Sequence, residues 1–148
     1  MNHFSRTLAG VVLSIAVVAA QAAVPFVSGG VTVDEFKALN REAKDYSVKL
    51  VFAARGSGAY LADVDVTLAS LPQHEVMLEH RTEGPLLLAA LPPGRYELTA
   101  SFKDVKPGAP ATQKRVINVP RNGRADAVVY FDTGDEVSSD SPPEYSTR

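Results

Sequence analysis

Leu91–Phe102 reads LPPGRYELTASF, and the period of its second half decides the fold class. After the Pro-Pro-Gly turn, Tyr96, Leu98, Ala100 and Phe102 alternate with Glu97, Thr99, Ser101 and Lys103. Successive side chains of a strand point to opposite faces, so this pattern predicts a β-strand with one buried and one solvated face. Pro92 and Pro93 hold φ near about −65°, and Gly94 permits the sharp reversal. Tyr96 then re-enters with its ring buried and its hydroxyl near the rim.

Working outward, six more segments read as strands. Ser47–Ala54 places Val48, Leu50 and Phe52 on one face, with Val51 and Ala53 on the other. Ala62–Leu68 turns Val64, Val66 and Leu68 inward and Asp63, Asp65 and Thr67 outward. His74–Arg81 sets Val76 and Leu78 against Glu75, Met77 and Glu79. Leu86–Leu91 follows a Glu83-Gly84-Pro85 turn. Thr112–Val119 leads through Asn122-Gly123, a tight-hairpin signal, into Ala125–Phe131. Short strands spaced by about 8–12 residues predict a seven-stranded antiparallel β-sandwich, mainly β, of Ig-like type.

One helix precedes the strands. Thr32 followed by Glu35 is a capping box, and Val31 with Phe36 is spaced as a hydrophobic staple. Val33, Phe36, Leu39, Ala43 and Tyr46 form an apolar stripe opposite Glu35, Lys37, Arg41, Glu42 and Lys44. A lone amphipathic helix of this length is marginal in water. The first and last strands are apolar on both faces, so the helix is expected to cover the outer face of the sheet that holds them.

The 148 residues accommodate one domain plus extensions. Arg6, the apolar run Leu8–Ala20 and Ala20-Gln21-Ala22 have the layout of a cleaved secretory signal. The expected organisation is a signal peptide over 1–22, a linker over 23–30, helix and sandwich over 31–132, and a disordered acidic tail over 133–148. The tail is rich in Ser and Pro and has too little apolar surface to offset its ordering entropy. Export to the periplasm or beyond follows, with no membrane insertion after signal cleavage.

Composition excludes several chemistries. The chain has no cysteine, hence no disulfide, thiolate metal site or Cys nucleophile. Its 15 bases include Arg6 in the signal and Arg148 in the tail; its 17 acids include four from Thr133 onward. The body is left with 13 of each and no basic excess to attract nucleic acid or anionic lipid.

The stretches Ala43–Leu68 and Gly84–Phe102, with the strand near the end, resemble the carboxypeptidase regulatory-like, or prealbumin-like, β-sandwich domain. More narrowly, they resemble a family of small exported proteobacterial proteins that carry this domain alone. The similarity covers Val31 to Phe131, and LPPGRY is its most specific element. The resemblance implies a folding, adhesion or ligand-contact module and brings no catalytic residues with it.

Three further motifs bear on chemistry. His80-Arg81-Thr82-Glu83 has the HxxE zinc-ligand spacing of the catalytic metallocarboxypeptidase domain, but no histidine follows to complete the site. His74 and His80 share a strand face and lie about 20 Å apart, too far for one metal. Prealbumin-like hydroxyisourate hydrolases use several His and Arg residues and a terminal Tyr-Arg-Gly-Ser, whereas this chain ends Tyr145-Ser146-Thr147-Arg148.

Two other features are bland by chemistry. Gly56-Ser57-Gly58 lacks the Lys and following helix of a phosphate loop and reads as a turn. Asp63 and Asp65 supply too few oxygens for calcium. No catalytic, cofactor or metal residue is expected, and the chain reads as a monomeric, non-enzymatic binding or accessory module of the envelope. A self-associating structural protein and a metal-dependent hydrolase are the alternatives. The partner, a protein or envelope ligand, is assigned to Arg55, Ser57 and Tyr60 and to Leu87. Leu87 sits in LLLAAL, which does not alternate: its outer face is either covered or an apolar patch for a partner.

Overall fold

The structure, a computed structural model, describes residues 23–135. The signal-peptide expectation over 1–22 and most of the tail lie outside these residues. Eight strands and one α-helix occur among the described residues: β1 Phe26–Gly29, α1 Val33–Glu42, β2 Val48–Ala54, β3 Asp65–Ser70, β4 Glu75–Arg81, β5 Leu86–Ala89, β6 Gly94–Ser101, β7 Thr112–Val119 and β8 Ala125–Phe131. They form two four-stranded sheets, β1-β5-β2-β8 (sheet A) and β4-β3-β6-β7 (sheet B).

Alternation builds the core between the sheets. Val48, Leu50, Phe52, Leu87, Val129 and Phe131 from sheet A meet Val66, Leu68, Leu78, Tyr96, Leu98 and Ile117 from sheet B in one buried cluster. Phe102, just past β6, closes on Phe131 with ring centroids 5.6 Å apart. These are the inward positions that period 2 assigns, and each such side chain contributes about 1.5–3 kcal/mol by burial.

Four expectations need correction. The 23–30 linker contains a strand, because Phe26–Gly29 pairs antiparallel with Leu86–Ala89. The arrangement is not wholly antiparallel, since β2 and β8 run parallel from Val48↔Ala125 to Ala54↔Phe131. In β4 the faces exchange: Leu68 pairs Leu78 but Ala69 pairs Val76, leaving Met77 as the extra residue of a bulge. Val76 is consequently exposed and Met77 packs on the core. His74 lies before β4 in a turn with φ 57°, its N–H bonded to the Ser70 carbonyl, so it does not share a strand face with His80.

Helix α1 starts as its caps require. The Glu35 N–H donates to Thr32 Oγ1 at 3.2 Å, and the Glu35 carboxylate accepts from the Val31 N–H at 3.0 Å. The reach is one residue beyond the usual capping box, to the residue preceding the cap. Leu39 and Ala43 are buried against Leu86 and Leu88, with Phe36, Tyr46, Val27 and Val51 around them in a second small core. Val31 and Val33 stay exposed, so the staple and the first turn of the stripe contribute little burial.

The strand that does not alternate now has a cause. β5 lies inside sheet A between β1 and β2, so Leu87 faces the inter-sheet core while Leu86 and Leu88 lie under α1. Both faces are covered, and both must be apolar. None of the described helices is long and apolar enough to cross a membrane.

Candidate functional site

Helix α1 covers only part of sheet A. Neighbouring strands lie about 4.8 Å apart, so four strands span roughly 14 Å, and a helix is about 10 Å across. Placed over β5, it reaches β1 on one side and Val51 of β2 on the other. The outer face of β8 is left open. Register brings Lys49 opposite Asp126, Val51 opposite Val128 and Ala53 opposite Tyr130 on that face. Val128 remains 39% exposed and Tyr130 41%.

The Arg55–Tyr60 turn closes one end of this open strip. The Gly58 N–H bonds the Ala54 carbonyl at 3.0 Å and the Ala54 N–H bonds the Ala59 carbonyl at 2.7 Å. Gly56 and Gly58 take φ of 90° and 71°, which only glycine adopts at little cost. Ser57 Oγ accepts from the Ala59 N–H at 3.2 Å, a role inside the turn. Tyr60 makes an isolated bridge to Ala53 and stacks on Phe36, ring centroids 4.9 Å apart at 21°. It is nevertheless 60% exposed.

Together these residues make an open groove of about 410 Å³, walled by Phe36 and Asn40 of α1, floored by Val51 and Val128 and flanked by Tyr60 and Tyr130. Volumes of this order are typical of ligand clefts. A smaller hollow of about 270 Å³ continues past Tyr60 over Phe36, Val31 and Lys37. The far end of the groove is charged. Arg124 Nε and Nη2 pair with the two Asp126 oxygens, and this contact, with a further contribution from Lys49, holds the Asp126 carboxyl below its ordinary value.

Of the residues assigned from sequence, Arg55, Ser57 and Tyr60 come together in one exposed turn. Leu87 does not join them. It is completely buried in the inter-sheet core, because inward and outward positions of β5 are both covered, so it cannot contact a partner. Phe36, Val51, Val128 and Tyr130 were missed. The signal was present in the two-sided apolar character of Ala125–Phe131, combined with a helix too narrow to cover every strand.

The other candidate chemistries sit elsewhere. The His80 ring packs on Phe26 with centroids 4.7 Å apart, closing the edge between the sheets, and its buried Nε2 makes no hydrogen bond. Between His80 and Glu83 lies Thr82, itself buried, whose hydroxyl accepts from the Val64 N–H at 3.0 Å. Asp65 is held by Arg81 across the strand pair through contacts of 2.8 and 3.1 Å. No group of three or more His, Asp or Glu side chains that could hold a metal occurs among the described residues.

No protein-family model and no curated protein matches this chain.

Proposed function

We propose that the chain is an exported, non-enzymatic binding module of the cell envelope, built on a carboxypeptidase regulatory-like, prealbumin-like sandwich. The observation that carries this reading is the apolar groove on the outer face of sheet A, where Tyr60, Val128 and Tyr130 stay exposed beside α1. An exposed aromatic and aliphatic strip rimmed by Lys49 and Asp126 has the make-up of a contact surface rather than of a solvated sheet face. Aromatic side chains supply large contact area at low entropy cost, so Tyr60 and Tyr130 are the anchors of the proposed contact.

Capture from envelope extract tests the reading. The wild-type chain should retain a partner that both Tyr60→Ser and Tyr130→Ser release, while the Ser57→Ala chain retains it. Equal capture by all four chains overturns the assignment of the groove. Stoichiometric zinc in the purified protein would overturn the non-enzymatic reading separately.

Self-association through the free edge of β8 is disfavoured by one contact. The Arg115 guanidinium donates to the Val128 carbonyl at 2.8 Å. A cation placed over a backbone acceptor of an edge strand blunts pairing with a second copy.

A further inference from the structure

The groove has a candidate occupant within the chain itself. Beyond β8 the backbone passes Asp132, whose carboxylate pairs with Lys106 at 2.7 Å, and reaches Asp135. There the Asp135 carbonyl lies 3.3 Å from where a Cβ on Gly56 would stand. Residues 136–148, EVSSDSPPEYSTR, therefore continue the chain from a point beside the turn that carries Gly58 and Tyr60, both of which line the groove.

We propose that the Pro142-Pro143-Glu144-Tyr145 segment of the tail docks in cis in the groove between α1 and β8 and competes there with the external partner. The proposal rests on the reading of that groove as a ligand surface and names its regulation. Reach permits it. The six residues 136–141 extend to about 20 Å, and Lys49 to Ala53, the length of the groove floor, spans about 13 Å.

Chemistry selects the segment. Consecutive prolines populate an extended polyproline II helix before binding and so lose little entropy on docking. Such helices dock on grooves lined by aromatic side chains, as Phe36, Tyr60 and Tyr130 line this one. Tyr145 is the one aromatic residue after position 131 and adds a ring to the same contact. Charge agrees in sign: residues 136–148 carry Glu136, Asp140 and Glu144, and Lys37 and Lys49 line the two hollows.

Tethering makes weak docking sufficient. In general a tether this short presents the segment it carries at an effective concentration on the order of millimolar, so an intrinsic affinity in that range leaves a substantial fraction of molecules docked. An external ligand then binds with apparent affinity reduced by the fraction of open molecules.

The absence of cysteine supplies the test. Ser146→Cys creates a unique thiol in the full chain for a nitroxide spin label, and amide resonances of Val51, Val128 and Tyr130 are monitored in dilute solution. The expected result is a loss of their intensity that is unchanged on dilution. It should be relieved by Pro142→Ser, Pro143→Ser and Tyr145→Ser made together, which leave the folded body untouched. Intensity equal to that of the reduced, diamagnetic sample overturns the proposal. So does broadening that fades on dilution or transfers to an unlabelled copy in a mixed sample, since the tail would then act in trans.

The two readings fail differently. An unbroadened groove with tyrosine-dependent capture removes the tail and keeps the ligand surface. Capture indifferent to Tyr60 and Tyr130 removes the surface itself.

Discussion

The Tyr96 hydroxyl donates a 2.6 Å hydrogen bond to the Pro92 carbonyl four residues earlier, tying the strand β6 back to the turn that starts it. The ring is buried in the inter-sheet core while its oxygen reaches the rim, so one side chain joins packing to turn geometry. Tyr96→Phe keeps the packing and removes the donor. It should cost about 1 kcal/mol in urea unfolding, the net worth of an ordinary hydrogen bond, whereas Tyr96→Ala should cost about 3–5 kcal/mol.

The same tyrosine should report on alkaline pH. Burial pushes its pKa above the ordinary 10.0. A group whose folded value is raised stabilises the protein below its unfolded value, and that contribution is lost as pH rises through the folded one. Phenolate absorbance should therefore show one late-titrating tyrosine, missing in Tyr96→Phe.

Gly84 is required by a close approach. A Cβ there would overlap the carbonyl group of Gly29, which passes directly over it. The neighbour is backbone within the β1–β5 pairing and cannot yield without breaking register. Gly84→Ala should lower stability by about 2–4 kcal/mol and expose β1 to proteolysis first. An unchanged melting temperature would refute this account.

Leu88 and Val128 lie on the same outer face of sheet A and should respond oppositely. Leu88 is fully buried under α1 with Leu39 and Ala43. Leu88→Ala should cost about 2–5 kcal/mol and loosen the helix, read as faster amide exchange over 33–42. Val128→Ser, in the open strip, should stay within about 0.5 kcal/mol of wild type.

Acid should weaken the fold through its paired carboxylates. The hydrogen bond from Arg81 holds the Asp65 carboxyl below its ordinary 3.8, and Arg124 does the same to Asp126. A depressed folded value means the contribution is present above the unfolded pKa and lost as pH falls through the folded one. Asp65 and Arg81 are about half exposed, so the gain is small and screened by salt. Asp65→Asn should destabilise slightly at neutral pH and low salt, and match wild type once both carboxyls are protonated.

How much of this was legible depends on the range of the interaction. Period 2 in Leu91–Phe102 and Ala62–Leu68 placed Leu98, Val66 and Leu68 in the core, because pleating alone sets which side a residue faces; Ala125–Phe131, apolar on both faces, allowed no such assignment. Thr32 and Glu35 announced the helix start for an equally local reason. The Arg55–Tyr60 turn was legible from its two glycines.

Sequence could not say which strand lies beside which. Phe26–Gly29 is four residues long and carries no alternation of its own; it is a strand because Leu86–Ala89 offers it an edge. The parallel pairing of β2 with β8 joins segments more than seventy residues apart in the chain. Met77 takes the inward place expected of Val76 only because the register of β4 slips against β3. The groove is the clearest case: sequence showed Val128 and Tyr130 to be apolar on a second face, and only the position of α1 over β5 decided that this face stays open. Local stereochemistry determined the elements, and the width of one helix against a four-stranded sheet decided where a partner can bind.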